Sequence, residues 1–222
     1  MATISSSVHK DTRQSLINAG IEVFGMGGYN GATTRQIAKT AGVNLAAIPY
    51  YFGGKEELYR AVIESIVDSI VERTTKVMAE KSSRIQWDDI TDDELIDLAL
   101  EYVSIFAGFL DLEENAAIKL IISREQIVPS GAFSLFYENL AKPQYEMFGK
   151  IIGKLMKCDP TDAAVTIQAH SIVSMIIFFS TARASLLMQL NTEKLTREHI
   201  TIIQKTAENN TRTILKGLCR PE

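Results

Sequence analysis

A pair of short helices joined by a glycine constrains this chain more than any other part of its sequence, and it lies within residues 33–55. Thr33 or Thr34 can cap the first helix, and Gly42 can end it because glycine readily adopts positive φ. Asn44 can then cap the second helix. The apolar residues of both helices recur at the spacing of one helical face: Ile37, Ala38, Ala41, Ile48, Tyr51 and Phe52. This pattern predicts a helix-turn-helix.

The same stretch resembles the N-terminal signature of TetR/AcrR-type transcriptional regulators, over about residues 10–60. Four strings carry the resemblance: Thr34-Arg35-Gln36-Ile37-Ala38, Ala41-Gly42-Val43, Ile48-x-Tyr50-Tyr51-Phe52 and Lys55-Glu56-x-Leu58. In a helix-turn-helix the second helix enters the DNA major groove while the first crosses the backbone. The resemblance therefore implies double-stranded DNA as a partner. The contacts that it implies are Thr33, Thr34, Arg35, Gln36, Asn44, Leu45, Ala46, Ala47, Pro49, Tyr50 and Lys55.

The side chains of this implied set suit DNA. Threonine hydroxyls and helix N-termini donate hydrogen bonds to phosphate oxygens. Arg35 can donate two hydrogen bonds to guanine and Gln36 can pair with adenine, while Lys55 supplies a positive charge for phosphate. The alternative is that Arg35 and Gln36 form an ordinary solvated helix face.

Pro49 departs from the family pattern, because many TetR-type regulators carry an aromatic residue there that contacts phosphate. Proline has no N–H and removes one hydrogen bond from a helix interior. The sequence thus predicts either a kinked second helix or a phosphate contact that has moved to Tyr50. Ala46 and Ala47 add few hydrogen-bonding groups, so we expect methyl contacts to thymine beside base contacts from Arg35, Gln36 and Asn44.

The distribution of charge suits a chain that presents one end to phosphates. The net charge of −4 argues against nucleic acid binding over the whole surface,. Residues 1–55 carry five basic and two acidic side chains, a net +3, whereas the remainder carries 18 basic and 25 acidic ones, a net −7. A chance fluctuation is the alternative.

Several features indicate a cytoplasmic protein without a metal or cofactor. Cys158 and Cys219 form neither a metal-ligand spacing nor a disulfide framework,, and isolated thiols suit a reducing cytosol. Residues 1–8 lack the apolar core of a secretion signal. The longest wholly apolar run, Met175 to Phe179, is too short to span a bilayer,.

The helical periodicity continues through the chain, and we predict an all-α fold without strands or internal repeats. Residues 1–9 are predicted to be a flexible tail and residues 10–55 a three-helix DNA-binding head whose first helix runs from about Lys10 to Met26. A long helix after Gly54 is predicted to join this head to a helical effector-binding and dimerisation domain, residues 56–222. That domain is expected to contain one long helix from about Thr161 to Leu190.

A second resemblance covers about residues 90–215. Ser123-Arg124-Glu125-Gln126-Ile127-Val128-Pro129-Ser130-x-Ala132-Phe133, with the segment from Phe178 to Arg183, looks like the C-terminal domain of CecR-type regulators, a TetR branch. It implies a small-molecule effector site of partly apolar character. The pocket residues predicted on this basis are Phe106, Phe109, Phe133, Tyr137, His170, Phe178 and Arg183. For each apolar member the alternative is an ordinary core position.

Polar residues inside apolar helices need partners when buried. An ion pair between Glu125 and an arginine is one hypothesis, and ligand contact by His170 or Arg183 is the other. The resemblance also implies a two-fold homodimer that joins the last two long helices to their copies. The apolar faces assigned to this contact are Ile172, Met175, Ile176 and Phe179, and Ile200, Ile203, Ile214 and Leu215.

The sequence is thus interpreted as a homodimeric DNA-binding regulator, a repressor by family analogy, released from a palindromic operator by an effector. The alternative is a helical small-molecule-binding protein whose head binds DNA only non-specifically. An enzyme is not expected, because the chain has no paired Glu-x-x-His motifs, no nucleophile elbow and no glycine-rich phosphate loop,.

Overall fold

The computed structural model describes residues 2–82, 85–108 and 116–219, and every regular element among them is helical. The helices are α1 Ala2–Gly31, α2 Thr34–Thr40, α3 Ala47–Phe52, α4 Lys55–Ser82, α5 Asp92–Gly108, α6 Ala116–Ile127, α7 Phe133–Phe136, α8 Lys142–Met156, α9 Ala163–Thr181, α10 Arg183–Gln189 and α11 Arg197–Leu218. A π-helical turn over Tyr137–Ala141 lies between α7 and α8. The predicted all-α fold is confirmed.

The chain divides into two compact units that differ from the predicted head and body. Unit 1 comprises Met1–Glu72 and Glu113–Leu140, and unit 2 comprises Arg73–Leu112 and Ala141–Glu222. The predicted boundary after residue 55 placed α6, and all of α4 except Lys55, in the second domain. Instead, the first part of α4 packs with the head, because its apolar face is buried there, including Leu58, Val62 and Ile66 at no more than 2% exposure.

Helix α1 is longer than predicted and contains a kink. It begins at Ala2 rather than near Lys10, so the residues predicted to form a flexible tail are helical from Ala2 onward. No glycine or proline interrupts residues 2–9, and extending an existing helix is easier than starting one. Near the other end, Gly28 leaves helical geometry with φ 66° and ψ 176°. The chain thus kinks two residues beyond the predicted helix end near Met26, and helical structure continues to Gly31.

Helix α6 lies against α1 within unit 1, at a very short distance. A Cβ atom at Gly25 would lie 2.5 Å from the Ala117 Cβ and 2.7 Å from the Ala117 Cα. Real Cβ atoms do not approach backbone atoms this closely. Gly25 is therefore required by the contact between the two helices, rather than by its own backbone conformation.

Unit 2 is a helical bundle whose core is formed by α5, α8, α9 and α11. Tyr102 of α5 and Phe148 of α8 meet edge to face with ring centroids 5.9 Å apart. Thr196 and His199 cap α11 reciprocally, each backbone N–H donating to the other side chain at 3.2 Å.

The apolar faces assigned to the dimer contact are largely core residues. Those buried in unit 2 at no more than 8% exposure are Ile172, Ile176, Ile200, Ile203 and Leu215. Helical spacing identifies an apolar stripe, but it does not distinguish a stripe that packs within one chain from one that faces a partner. Apolar side chains that are exposed on α9, α10 and α11 are Ile167, Ile177, Phe178, Met188 and Ile202.

The long helix predicted to end near Leu190 is divided into α9 and α10 at Ala182. The Thr181 hydroxyl lies 3.4 Å from the Ile177 carbonyl oxygen and 3.3 Å from that of Phe178. Such hydrogen bonds from a side chain to the preceding turn bend helices, which accounts for a break that apolar periodicity does not reveal.

Replacing Gly25 by alanine is expected to destabilise unit 1 by about 1–3 kcal/mol, because the added methyl group overlaps the backbone at Ala117,. Gly31→Ala is the matched control, since a Cβ there meets nothing within 4 Å. Urea unfolding of both variants at one protein concentration measures the difference. Equal unfolding midpoints for Gly25→Ala and the parent protein would contradict the close helix contact.

Candidate nucleic-acid interface

Helix α2 begins with a reciprocal cap between Thr33 and Gln36. The backbone N–H of Gln36 donates to the Thr33 hydroxyl at 3.2 Å, and the backbone N–H of Thr33 donates to the Gln36 side-chain oxygen at 2.9 Å. The Thr33 hydroxyl also donates to that oxygen at 2.7 Å. The predicted cap at Thr33 is confirmed as a capping box,. Because the Gln36 oxygen is engaged within the protein, its amide nitrogen is the group that can still donate to a base.

The turn after α2 is built on Gly42, which has φ 68°. The Gly42 N–H donates to the Lys39 carbonyl at 3.1 Å, and the Val43 N–H donates to the Ala38 carbonyl at 3.0 Å. This pair of hydrogen bonds is a Schellman motif, which satisfies the last carbonyls of a helix when the residue after its end has positive φ. Gly42 therefore ends α2 as predicted.

Asn44 organises the turn before α3 but does not directly cap that helix. Its side-chain oxygen accepts from the Ala46 N–H at 2.9 Å, and its carbonyl accepts from the Ala47 N–H at 2.9 Å. Helix α3 begins at Ala47, and Ala46 at its N-cap provides no side-chain hydrogen bond. The prediction that Asn44 is the cap is wrong because an additional turn separates it from the helix.

Pro49 does not disrupt α3. It is the third residue of the helix, where the backbone N–H has no partner within the helix in any case. The Tyr50 N–H donates to the Ala46 carbonyl at 3.3 Å and the Gly53 N–H donates to the Pro49 carbonyl at 3.0 Å. The expected loss of a helical hydrogen bond therefore does not occur, and Tyr50, which is 72% exposed, follows Pro49 on a regular turn.

Most of the predicted DNA contacts lie at the surface. The exposed ones are Thr33, Arg35, Gln36, Asn44, Leu45, Ala46, Pro49 and Tyr50, and the half-buried ones are Thr34, Ala47 and Lys55. The apolar residues Ile37, Ala38, Ile48 and Phe52 are buried instead. Helices α2 and α3 therefore each bury an apolar face and leave polar side chains exposed.

An aromatic cluster supports Lys55, the first residue of α4. The Lys55 ammonium lies 4.6 Å from the centre of the Tyr29 ring, a distance at which the ring attracts a cation. The centre of the Tyr29 ring is 5.1 Å from that of Tyr59, which in turn lies 4.8 Å from that of Phe24. Sequence reasoning missed Tyr29 and Tyr59, because nothing in their spacing indicates that they meet.

Glu125 of α6 is 2% exposed and has hydrogen-bond donors around it. One side-chain oxygen accepts from the Tyr59 hydroxyl at 2.7 Å, and the other accepts from the backbone N–H and the hydroxyl of Ser130, both at 3.1 Å. Burial, followed by this hydrogen bond to Glu125, raises the pKa of Tyr59, so the phenol stays protonated as a donor. Among the described residues, the donors from Tyr59 and Ser130 thus take the place of the predicted ion pair between Glu125 and an arginine.

Arg124 instead binds the backbone of α1. Its guanidinium donates to the carbonyl oxygens of Phe24 at 3.0 Å, of Met26 at 3.2 Å and of Gly25. These carbonyls precede the kink at Gly28, where a Cβ atom would lie 3.6 Å from the Arg124 Cδ. The last carbonyls of a helical segment lack partners, and a cation placed there is favourable for the helix dipole.

The predicted effector residues are divided between the two units. Phe133 and Tyr137 belong to unit 1, where their rings stack with centroids 6.1 Å apart. His170 and Phe178 belong to unit 2 and are exposed. The His170 ring stacks on Tyr145 with centroids 3.9 Å apart.

The other three predicted effector residues are Phe106, Phe109 and Arg183. Arg183 is half-buried at the start of α10. Phe109 and the side chain of Phe106 lie outside the described residues. The assignment of these residues to an effector pocket therefore stays a prediction.

A groove of about 570 Å³ lies on unit 2. It is lined by Ile85, Gln86, Asp89, Ile90, Glu94, Asp97, Leu98 and Glu101, none of which was predicted to contact an effector. Two of its carboxylates already have partners. Hydrogen bonds from the backbone and hydroxyl of Thr91 hold the pKa of Glu94 below its usual value, and Asp97 pairs with Arg212 at 3.0 Å.

The described residues contain no group of three or more His, Cys, Asp or Glu side chains placed to hold a metal ion. No single helix within them has the length and apolar composition of a membrane span. The bent pair Ala163–Phe179 and Arg183–Gln189 passes that test together, by length and composition only.

Two family models match the chain. The first, described as bacterial regulatory proteins of the tetR family, matches residues 16–62. The second, described as the C-terminal domain of the HTH-type transcriptional dual regulator CecR, matches residues 97–218. The matched ranges coincide with the two segments whose motifs resemble these families.

Similar proteins support both matches. The HTH-type transcriptional dual regulator CecR of Shigella flexneri is 31% identical over 210 residues, covering 94% of this chain and 93% of that protein. The crystal structure of HlyIIR, a hemolysin II transcriptional regulator, has a TM-score of 0.55 at 20% identity and covers 89% of this chain and 97% of its own. The crystal structure of AibR in complex with isovaleryl coenzyme A and operator DNA has a TM-score of 0.64 at 12% identity. It covers 90% of this chain and 97% of its own. The two structures establish likeness of fold.

Thr33→Ala is expected to lower the free energy of unfolding by about 1 kcal/mol, because it removes the hydroxyl that accepts from the Gln36 N–H,. Thr33→Ser keeps a hydroxyl in the same place and is expected to stay close to the parent protein. Chemical denaturation followed by circular dichroism measures both variants. Equal losses in the two would show that the hydroxyl does not stabilise α2.

Proposed function

Because the chain belongs to the TetR family of bacterial transcriptional regulators and carries a CecR-type C-terminal domain, we propose that it represses transcription as a homodimer that a small-molecule effector releases from a palindromic operator. The observation that carries the DNA-binding part is the surface of α2 and α3. There the apolar residues are buried, whereas Arg35, Asn44 and Tyr50 are exposed. The cytoplasm, where DNA is accessible, is the proposed location.

The proposed DNA contacts have different tasks. Thr33 and Thr34 lie at the N-terminus of α2, and Lys55 at that of α4, where backbone N–H groups and hydroxyls suit phosphate. Arg35 and Asn44 supply exposed donors for base edges. Leu45, Ala46, Ala47 and Pro49 supply apolar contacts, of the kind that thymine methyl groups make. Phosphate contacts fix the position of the head, and base contacts select the sequence.

The proposed dimer uses the exposed apolar side chains of α9 and α11 rather than the residues first assigned to it. Ile167 is 68% exposed on α9 and Ile202 is 55% exposed on α11. Monomeric proteins rarely leave large apolar patches in water. Two linked heads bind a palindrome more tightly than one because the second contact is intramolecular, with half-sites about 34–36 Å or a multiple apart.

The proposed effector is a partly apolar small molecule bound by the CecR-type domain. His170, Phe178 and Arg183 remain its proposed contacts in unit 2. AibR, whose fold is similar, has been solved with both isovaleryl coenzyme A and operator DNA. An effector releases DNA only to the extent that it binds the DNA-free arrangement more tightly than the DNA-bound one.

Arg35→Ala and Lys55→Ala are expected to affect DNA binding in different ways. Loss of Arg35 removes about 1–3 kcal/mol of discrimination at one base pair, and loss of Lys55 weakens binding to all duplexes and lowers the salt slope by about one. Lys205→Ala removes an exposed positive charge from α11 of unit 2 and serves as the control. Selection from a random duplex pool, followed by titration of the enriched and a scrambled duplex at several salt concentrations, measures these effects.

A palindrome bound about a thousandfold more tightly than its scrambled control would establish a specific dimeric regulator. Weak, salt-dependent binding to every duplex, with the effector candidates present or absent, would favour the alternative of a head that binds DNA only non-specifically.

Ile202→Glu is expected to give a monomer, because a buried unpaired charge opposes association. Thr201→Glu adds the same charge at the neighbouring exposed position and is expected to leave the dimer intact. Light scattering coupled to size-exclusion chromatography reports the mass of each. A monomeric parent protein would refute the proposed dimer, and a dimeric Ile202→Glu variant would refute this assignment of its surface.

A further inference from the structure

Three polar residues at and after the end of α6 attach that helix to α1 and α4. We call Arg124, Glu125 and Ser130 the α6 latch. All of the contacts that they make here lie within unit 1. They come from the string that resembles CecR-type regulators, and none of them belongs to the proposed DNA-binding surface.

The first half of the latch is the contact between Arg124 and α1. Three carbonyl groups, from Phe24 to Met26, accept from one guanidinium. A lysine has the charge but lacks the planar fork that serves several acceptors at once. The contact fixes the end of the first segment of α1, directly before the Gly28 kink and Tyr29.

The second half of the latch is the contact between Glu125 and α4. A buried carboxylate is costly without donors, so Tyr59 and Ser130 together determine where this carboxylate can lie. The turn that contains Ser130 is attached to the same helix, since the Arg60 guanidinium donates to the Gly131 carbonyl at 3.3 Å. The end of α6 thereby fixes the position of the Tyr59 side chain from its hydroxyl end.

From Tyr59 a continuous set of ring contacts leads to Lys55. The Tyr59 ring contacts both Phe24 and Tyr29, which also stack on each other with centroids 6.2 Å apart. The Tyr29 ring faces the Lys55 ammonium. Arg124 binds the backbone before Tyr29, and Glu125 holds Tyr59, whose ring contacts Tyr29. Both halves of the latch therefore act on the aromatic ring that holds Lys55.

We propose that the α6 latch positions Lys55 for its contact with a DNA phosphate, so that Arg124, Glu125 and Tyr59 are positioning residues for DNA binding. This inference rests on the proposed DNA-binding function. As a consequence, DNA affinity depends on how α6 packs against α1 and α4, although α6 is not part of the proposed DNA-binding surface. If the latch only stabilised unit 1, a substitution in it would change the unfolding midpoint. Its effect on DNA binding would then not depend on Lys55.

Tyr59→Phe tests the proposal because it removes one hydroxyl and keeps the ring. In the parent background we expect it to weaken binding of a random-sequence duplex about threefold to tenfold, the range that loss of one hydrogen bond gives. We also expect a smaller salt slope, by up to about 0.9. In a Lys55→Ala background Tyr59→Phe should change neither the duplex affinity nor the salt slope, because the Lys55 ammonium, whose position it disturbs, is absent.

Tyr102→Phe is the matched control, since Tyr102 is also 4% exposed but belongs to unit 2. It should leave duplex binding unchanged in both backgrounds. Unfolding midpoints measured for every variant ensure that folded proteins are compared. If Tyr59→Phe is not folded at the assay temperature, Glu125→Gln, which keeps the size of the side chain, takes its place in the same double-mutant cycle.

Non-additivity between Lys55→Ala and Tyr59→Phe, or Glu125→Gln in its place, would support the proposal. Equal weakening by Tyr59→Phe in both backgrounds, or none in either, would overturn it while leaving the proposed function in place, provided that Lys55→Ala itself weakens binding. A Lys55→Ala variant with unchanged affinity would overturn the latch proposal and the phosphate role of Lys55 together. Loss of specific binding on Arg35→Ala would still support the wider function in that case.

Discussion

The contact of the Arg124 guanidinium with the carbonyl groups before the kink of α1 is the constraint on which the organisation of unit 1 depends. Gly28 bends the chain with φ 66°, and Arg124 donates to the carbonyl oxygens of Phe24, Gly25 and Met26. Bringing this arginine to α1 requires α6 to lie close to it, which in turn requires glycine rather than a larger residue opposite Ala117. One local bend therefore fixes a helix that lies far away in the sequence.

Features set by neighbouring residues could be predicted from the sequence. The caps at Thr33 and Thr196 and the end of α2 at Gly42 each depend on residues within one or two turns. For the same reason the helix-turn-helix pattern and the buried positions of Ile37, Ile48 and Phe52 followed from spacing, whereas the exposed DNA contacts were implied by the family resemblance. The start of α3 did not, because Asn44 has the side chain of a helix cap but uses it in a preceding turn,.

Features set by distant contacts could not be predicted in this way. The sequence suggested that the charge of Glu125 would pair with an arginine, and neutral donors from Tyr59 and Ser130 surround it instead. Apolar periodicity likewise selected Ile172 and Ile203 as partner-facing, although both are core residues of unit 2. A pattern along one helix shows that a face is apolar, whereas the identity of its neighbour depends on how the other helices pack.

The composition of α3 explains why the position of Lys55, which lies outside this helix, matters for the proposed DNA binding. This helix has six residues, and with Ala46 before it and Ala47 and Pro49 within it, few of its side chains can form hydrogen bonds. In the proposed interface, base contacts therefore come from few groups, and a larger share of the affinity comes from phosphate. Phosphate contacts depend on where each charge is held relative to the backbone of DNA. In unit 1 the Lys55 ammonium lies over the Tyr29 ring, and in the proposed function this contact connects α6 to DNA affinity through packing and hydrogen bonding.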